Sequence, residues 1–175
     1  MATPTAVIVL AAGAGTRMKS SLPKVVHPVV GRSMIGHALH AAAGTHPDHL
    51  VAVVRHQREL VAAEILRNNP DVIIADQDDI PGTGRAVQCA LDELLRRGHS
   101  LSGTILVTYG DVPMLDADTL NALLRSHNER GATVSVLTTI VDDPTGYGRI
   151  IRDETSGDVC RIVEQKDASE AERQI

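Results

Sequence analysis

Residues 6–24 read AVIVLAAGAGTRMKSSLPK, and the way this stretch breaks decides the fold. An apolar run, Ala6 to Leu10, stops at six small residues, Ala11 to Thr16, that include Gly13 and Gly15. Arg17 and the Pro23-Lys24 pair follow. A short, unbroken apolar run closed by glycine is the pattern of a strand buried on both faces, as in a parallel sheet covered by helices. LVAVV (50–54), VIIA (72–75) and ILVTYG (105–110) repeat it, and TVSVLTTIV (133–141) predicts a fifth strand with partial alternation.

Between these runs the apolar residues recur at the helical spacing of about 3.6. In 85–97, Ala86, Val87, Ala90, Leu91, Leu94 and Leu95 form one stripe, with Asp92, Glu93, Arg96 and Arg97 opposite. In 117–128, Leu120, Leu123 and Leu124 do the same, with Asp116 or Asp118 as the cap. Helices are also predicted over 34–43 and 57–67. Strands alternating with helices give an α/β fold: a three-layer αβα, Rossmann-like sandwich around a mostly parallel sheet. With no repeat and no linker, residues 1–175 read as one domain. Such folds bind ligands beyond the carboxyl ends of their strands. The first end carries Gly13 to Arg17, the third Asp76 to Gly84, and the fourth Tyr109-Gly110-Asp111.

Composition narrows the partners. The net charge of −5 disfavours a nucleic-acid or membrane-surface partner, which would want a basic face. The chain has no Trp, no Phe and only Tyr109 and Tyr147, so its core must be aliphatic. Cys89 and Cys160 make no disulfide framework and read as buried small hydrophobes. No apolar run nears the ~20 residues of a membrane span. No basic segment precedes the first apolar run, so a cytoplasmic protein is expected. His37, His40, His46 and His49 lack partners for a zinc set.

Two familiar phosphate loops do not fit the glycine segment. Both GxGxxG and the P-loop pattern begun at Gly13 require glycine at position 18, which is Met18. What remains is a run of small side chains that lets phosphates or a flat ring reach the main chain. Arg17 can fork onto phosphate oxygens, and Lys24 supplies a point charge behind the rigid Pro23. A plain tight turn with two solvated cations is the alternative. Asp111, at the end of a buried strand, suits a hard Mg²⁺ ion; a turn or helix-capping aspartate is the alternative. Asp76, Asp78 and Asp79 read as a solvated loop.

The whole set of motifs resembles a known family. LAAGAGTRMKSSLPK (10–24) is similar to the signature of sugar-nucleotide pyrophosphorylases. QDDIPGTGRA (77–86), YGDVP (109–113), DDPTGYGRI (142–150) and VEQKDAS (163–169) narrow the likeness. Together they resemble the uridyltransferase domain of the bacterial bifunctional N-acetylglucosamine-1-phosphate uridyltransferase/glucosamine-1-phosphate acetyltransferase family, with its nucleotide-diphospho-sugar transferase fold.

The resemblance implies transfer of a uridylyl group from UTP to N-acetylglucosamine-1-phosphate, with Mg²⁺, for cell-wall precursors. It implies that Leu10, Ala11, Ala12 and Gly13 lie against the uridine, and that Arg17 and Lys24 are catalytic cations on the triphosphate. Gln77 would read uracil beside Gly82 and Thr83; Thr83 alternatively caps a helix beginning near Arg85. Tyr109, Gly110 and Asp111 would line the sugar-nucleotide pocket, with Asp111 on the metal. Gly148 and Glu164 would contact the sugar, or else be a bend glycine and a surface glutamate.

The family pattern runs on past Ile175 into residues that wall the sugar site, an asparagine on the metal, and a β-helix that transfers acetyl groups and forms trimers. The expectation is therefore a nucleotidyltransferase domain incomplete at its C-terminus, without the acetyltransferase β-helix. A homo-oligomer stays open. So do a related cytidylyl- or guanylyltransferase and a nucleotide-binding fragment without turnover.

Overall fold

A computed structural model describes residues 3–15 and 18–175. The chain divides into two compact units, Met1–Ser135 and Val136–Ile175.

The first unit is built on four parallel strands in the order β5-β4-β1-β6: β5 (Ile73–Asp76), β4 (His49–Val54), β1 (Ala6–Leu10) and β6 (Ile105–Tyr109). Alternate residues of the central strands feed two separate cores. Val7, Val9, Ala52 and Val54 pack with helices α1 (Met34–Ala43), α2 (Arg58–Asn68) and α4 (Ala117–Arg130) through Ile35, Leu39, Ile65 and Leu120. Ala6, Ile8, Val51 and Val53 pack on the other face with α3 (Thr83–Arg96) through Ala86, Ala90 and Leu94. Both faces are thus buried, which is why the strand sequences are apolar without alternation. The aliphatic core follows, since the three layers meet on Val, Ile, Leu and Ala alone.

The chain moves outward from β1 to β4 and β5, then returns through α3 to place β6 on the other side of β1. That reversal opens a crevice at the carboxyl ends of β1 and β6, the topological switch point of an α/β sheet.

A small antiparallel hairpin, β2 (Pro28–Val29) with β3 (Arg32–Ser33), leads into α1. Its turn, Val30-Gly31, puts both residues at positive φ (48° and 81°). Ser33 caps α1 by accepting from the Gly36 amide, and Asp116 caps α4 by accepting from the Thr119 amide. α4 stops at Gly131 (φ 57°), where the Ala132 amide reaches back to the His127 carbonyl.

The second unit holds an antiparallel pair, β7 (Arg149–Arg152) and β8 (Val159–Val163), with a bulge between Ile151 and Arg152.

Three expectations are corrected. Residues 133–141 form no strand, because the segment makes no ladder hydrogen bonds to a neighbour. Cys89 is buried in α3, but Cys160 is exposed, since all but the last residue of β8 face solvent. α3 begins at Thr83 rather than near Arg85. Its cap is Gly82 at φ 122°, a conformation that glycine supplies, and no side-chain cap bond forms.

Candidate functional site

All four parallel strands deliver residues to one cavity of about 470 Å³ at their carboxyl ends. β1 and the loop after it contribute Leu10, Ala11, Ala12, Gly13 and Gly15. β4 leads into Arg55 and His56, β5 into Gln77, and β6 ends in Tyr109 before Asp111. Lys24 enters from the turn Lys24–Val26. Pro81, Gly82 and Thr83 close the wall where α3 starts.

The glycine loop works by steric permission. Gly15 takes φ 61°, and a Cβ there would stand 2.7 Å from Lys24 Cβ. Nothing lies within 4 Å of a Cβ built on Gly13, so that side of the loop faces open space. The loop therefore lies flat against Lys24 while keeping main-chain groups beside the cavity.

Lys24 Nζ donates to Asp111 Oδ2 at 2.7 Å, both side chains being about one-third exposed (34% and 37%). The pair joins a cation and a carboxylate from positions 87 residues apart in sequence. A pair this open is worth little as a structural bridge, ~0–1 kcal/mol. Its value lies in placing one positive and one negative group side by side at the cavity wall.

Gln77 spends its amide N–H donors on the Ile80 carbonyl (3.0 Å) and the Gly82 carbonyl (3.2 Å), which fixes the 77–82 loop. Its side-chain oxygen accepts no protein hydrogen bond among the described residues. The N-terminus of α3, with no acidic residue in its first turn, adds the positive end of a helix dipole at Gly82 and Thr83. Three ion pairs brace this edge of the sheet. Arg58 bonds Asp76 at 2.8 Å, Arg85 bonds Asp78 at 2.5 Å, and Arg55 reaches both the carbonyl and the carboxylate of Asp79. The Arg85 guanidinium holds the Asp78 carboxyl below its ordinary range.

Of the residues singled out in the sequence, Leu10, Ala11, Ala12, Gly13, Lys24, Gln77, Gly82, Thr83, Tyr109 and Asp111 share this cavity. Arg17 lies outside the described residues. Gly110 is not in the lining. It is buried beneath the site, its amide donates to the Leu10 carbonyl at 2.8 Å, and an added Cβ would meet Ile35 Cδ1 at 2.7 Å. Gly148 and Glu164 belong to the second unit, where they are neighbours: a Cβ on Gly148 would lie 3.9 Å from Glu164 Oε1.

Arg55 and His56 are cavity residues that sequence reasoning did not single out. The signal was available, because they follow β4 at the same carboxyl edge as the other site residues.

Among the described residues Asp111 is the one carboxylate in the lining. Among the described residues no group of three His, Cys, Asp or Glu side chains could hold a metal. One carboxylate at the wall of a cavity of about 470 Å³ would fit a Mg²⁺ ion, an ion that usually keeps several waters and binds through one or two carboxylates plus substrate phosphates.

A crevice at the switch point of a parallel sheet, with small-residue backbone, a lysine and a carboxylate, defines a nucleotide-handling α/β domain. Residues 7–157 match the model of the MobA-like NTP transferase domain, and the chain belongs to that family. It is 58% identical over 168 residues to the bifunctional protein GlmU of Kineococcus radiotolerans, covering 96% of this chain and 33% of that protein. It is 56% identical over 172 residues to the GlmU of Paenarthrobacter aurescens, covering 98% and 34%. The chain thus spans about one third of the length of these curated relatives. Among solved structures, Rv0371c of Mycobacterium tuberculosis matches with a TM-score of 0.53 at 22% identity, covering 74% of this chain and 63% of that one. A nucleotidyl transferase, Mth528, of Methanothermobacter matches with a TM-score of 0.53 at 22% identity, covering 69% and 56%. The Rossmann-like fold of nucleotidyl transferases is therefore that of this chain.

Proposed function

We propose that the chain transfers the uridylyl group of UTP to N-acetylglucosamine-1-phosphate, giving UDP-N-acetylglucosamine and pyrophosphate for cell-wall precursors in the cytoplasm. The observation that carries this reading is Lys24 Nζ beside Asp111 in a cavity floored by Leu10 to Gly13. The identity to GlmU proteins over nearly the whole chain supports the choice of substrates.

A phosphate oxygen of the sugar phosphate attacks the α-phosphorus of UTP. The new P–O bond forms as the bond to the β-phosphate breaks, and the electron pair leaves with pyrophosphate. Chemistry of this kind needs positioning and charge stabilisation more than covalent help. Leu10 to Gly13 present main chain to the uridine, and Gln77 offers its unpaired side-chain oxygen to the N–H of uracil. Gly82 and Thr83 hold the nucleotide at the start of α3. Lys24, with Arg17, neutralises the non-bridging oxygens, while Tyr109 and Asp111 face the sugar-nucleotide. Asp111 would hold Mg²⁺, which supplies charge neutralisation on the phosphates when bound. Gly148 and Glu164 contact the N-acetylated sugar, Gly148 through its amide and Glu164 through sugar hydroxyls.

The test is pyrophosphate release from UTP with N-acetylglucosamine-1-phosphate and Mg²⁺, run beside CTP and GTP and beside the variant Asp111→Ala. Release that needs both substrates, prefers UTP and disappears in the variant is the expected result. Equal release with CTP or GTP would overturn the base assignment. UTP binding without release would leave a nucleotide-binding unit and remove the transfer.

A further inference from the structure

Arg149 is the most deeply buried cation among the described residues, at 4% exposure, and no carboxylate pairs with it. Burying a guanidinium is costly unless its donors are met. Here four neutral acceptors meet four of its five N–H donors. Nη1 donates to the Pro144 carbonyl at 2.9 Å and the Tyr147 carbonyl at 2.5 Å. Nη2 donates to Gln165 Oε1 at 2.8 Å and the Arg173 carbonyl at 3.3 Å. Nε has no partner. One side chain thus ties together the 144–148 turn, the residue after Glu164, and the turn Glu172–Gln174.

The bond to the Tyr147 carbonyl has a directional consequence. In a trans peptide the C=O and the following N–H point in opposite directions. Holding the Tyr147 oxygen toward the guanidinium therefore turns the Gly148 N–H away from it. That N–H makes no protein hydrogen bond among the described residues, and Gly148 is exposed. A turn of this length, Thr145-Gly146-Tyr147-Gly148, has glycine freedom at both ends of Tyr147, and Gly146 sits at φ 86°. Without the buried arginine, the 147–148 peptide plane would be free to flip.

We infer that Arg149 is a positioning residue for sugar recognition: it locks the Tyr147–Gly148 peptide plane so that the Gly148 N–H is presented to the amide carbonyl of an N-acetylated sugar, and anchors Gln165 so that Glu164 stands beside it. This rests on the proposed uridylyltransferase reading. Arg149 touches no substrate and acts through the backbone. A lysine cannot replace it, because one ammonium on a flexible stem cannot hold four acceptors in a fixed fork.

Affinities of the wild type and Arg149→Lys for UDP, UDP-glucose and UDP-N-acetylglucosamine test it. The wild type should prefer UDP-N-acetylglucosamine over UDP-glucose. In the variant that preference should fall about tenfold, the worth of one well-made hydrogen bond. Its affinity for UDP should stay within about twofold, a split that unfolding of the whole chain would not give, and unchanged amide-exchange protection of β7 and β8 in the variant should show that the second unit keeps its structure. An unchanged preference, or a parallel loss of UDP affinity, overturns the inference. A second measurement needs no variant: the Gly148 amide resonance of the wild type should shift with UDP-N-acetylglucosamine and not with UDP-glucose. No shift, or the same shift with both, overturns it. A wild type that binds UDP but ranks the two sugars equally removes this inference alone. A wild type that binds no uridine nucleotide removes the reading beneath it.

Discussion

Single residues of the site answer to two different physical demands. Lys24 and Asp111 are there for charge, so their loss should hurt turnover more than folding. Lys24→Met is expected to lower kcat/KM by about 10²–10³, the range for removing one preorganised charge-stabilising donor, with the melting temperature nearly unchanged. Steady-state pyrophosphate release and thermal melts on the same samples check both halves. Gly15 is there for space. Gly15→Ala places a Cβ 2.7 Å from Lys24 Cβ at φ 61°. The left-handed backbone alone costs roughly 1–2 kcal/mol, and relief of the contact must displace Lys24. Denaturant melts should show that loss, and UTP titration should show weaker binding alongside it. Both positions were legible in the sequence, because glycine and lysine in a loop after a buried strand have few other uses. Arg149 was not legible, because an arginine beside a strand end reads as an ordinary surface charge until its partners are seen, whereas Arg55 was legible only through its place at the carboxyl edge after β4.

At the scale of elements, the hairpin before α1 carries a misfit. Its two-residue turn needs positive φ at both positions, which favours Asn-Gly over a β-branched residue. Val30 fills the first at φ 48° and is almost wholly exposed. Val30→Asn should relieve roughly 1 kcal/mol of strain and raise the melting temperature by about 2–4 °C. No rise would mean that the turn is unstrained. Helix α3 carries a pH signature instead. Arg96 first, and then Arg97, hold the Glu93 carboxyl down to about 2. In the unfolded chain a glutamate titrates near ~4.3. The folded value is the lower one, so the stabilisation is complete above the unfolded value and is lost as pH falls towards the folded one. Wild type and Glu93→Gln should therefore differ in melting temperature by a constant amount above about pH 5 and converge between about pH 4 and pH 2. A gap that persists at acid pH would show that the ion pairs are not its source. The periodic helices 34–43 and 117–128 were readable to within a residue or two, since their stripes and caps are local. The cap of α3 was not, because glycine at φ 122° rather than the Thr83 hydroxyl makes that turn.

Across the whole molecule, stability is expected to be uneven. The first unit buries both faces of a four-stranded sheet, whereas the second holds a two-stranded ladder in which Val163, Ala168 and Arg149 are the buried residues. Small units bury a smaller share of their surface and open more readily. Amide exchange in β7 and β8 should accordingly be faster than in β1 and β4 by about 10² or more, read by mass spectrometry on the intact chain. Equal protection would show that the two units open together. By itself the sequence determined the alternation of strands and helices, the aliphatic core and the carboxyl edge where ligand residues gather. Those follow from residue spacing and from how far a side chain can reach within its own element. Only the tertiary structure decided that 133–141 joins no strand among the described residues, that Gly110 lies beneath the cavity, and that Lys24 closes on Asp111. It also decided that Arg149 is caged by the nearby Pro144 and Tyr147 carbonyls together with the distant Gln165 side chain and Arg173 carbonyl. Pairing, burial and charge contact depend on which distant segments meet, and local pattern carries no record of that.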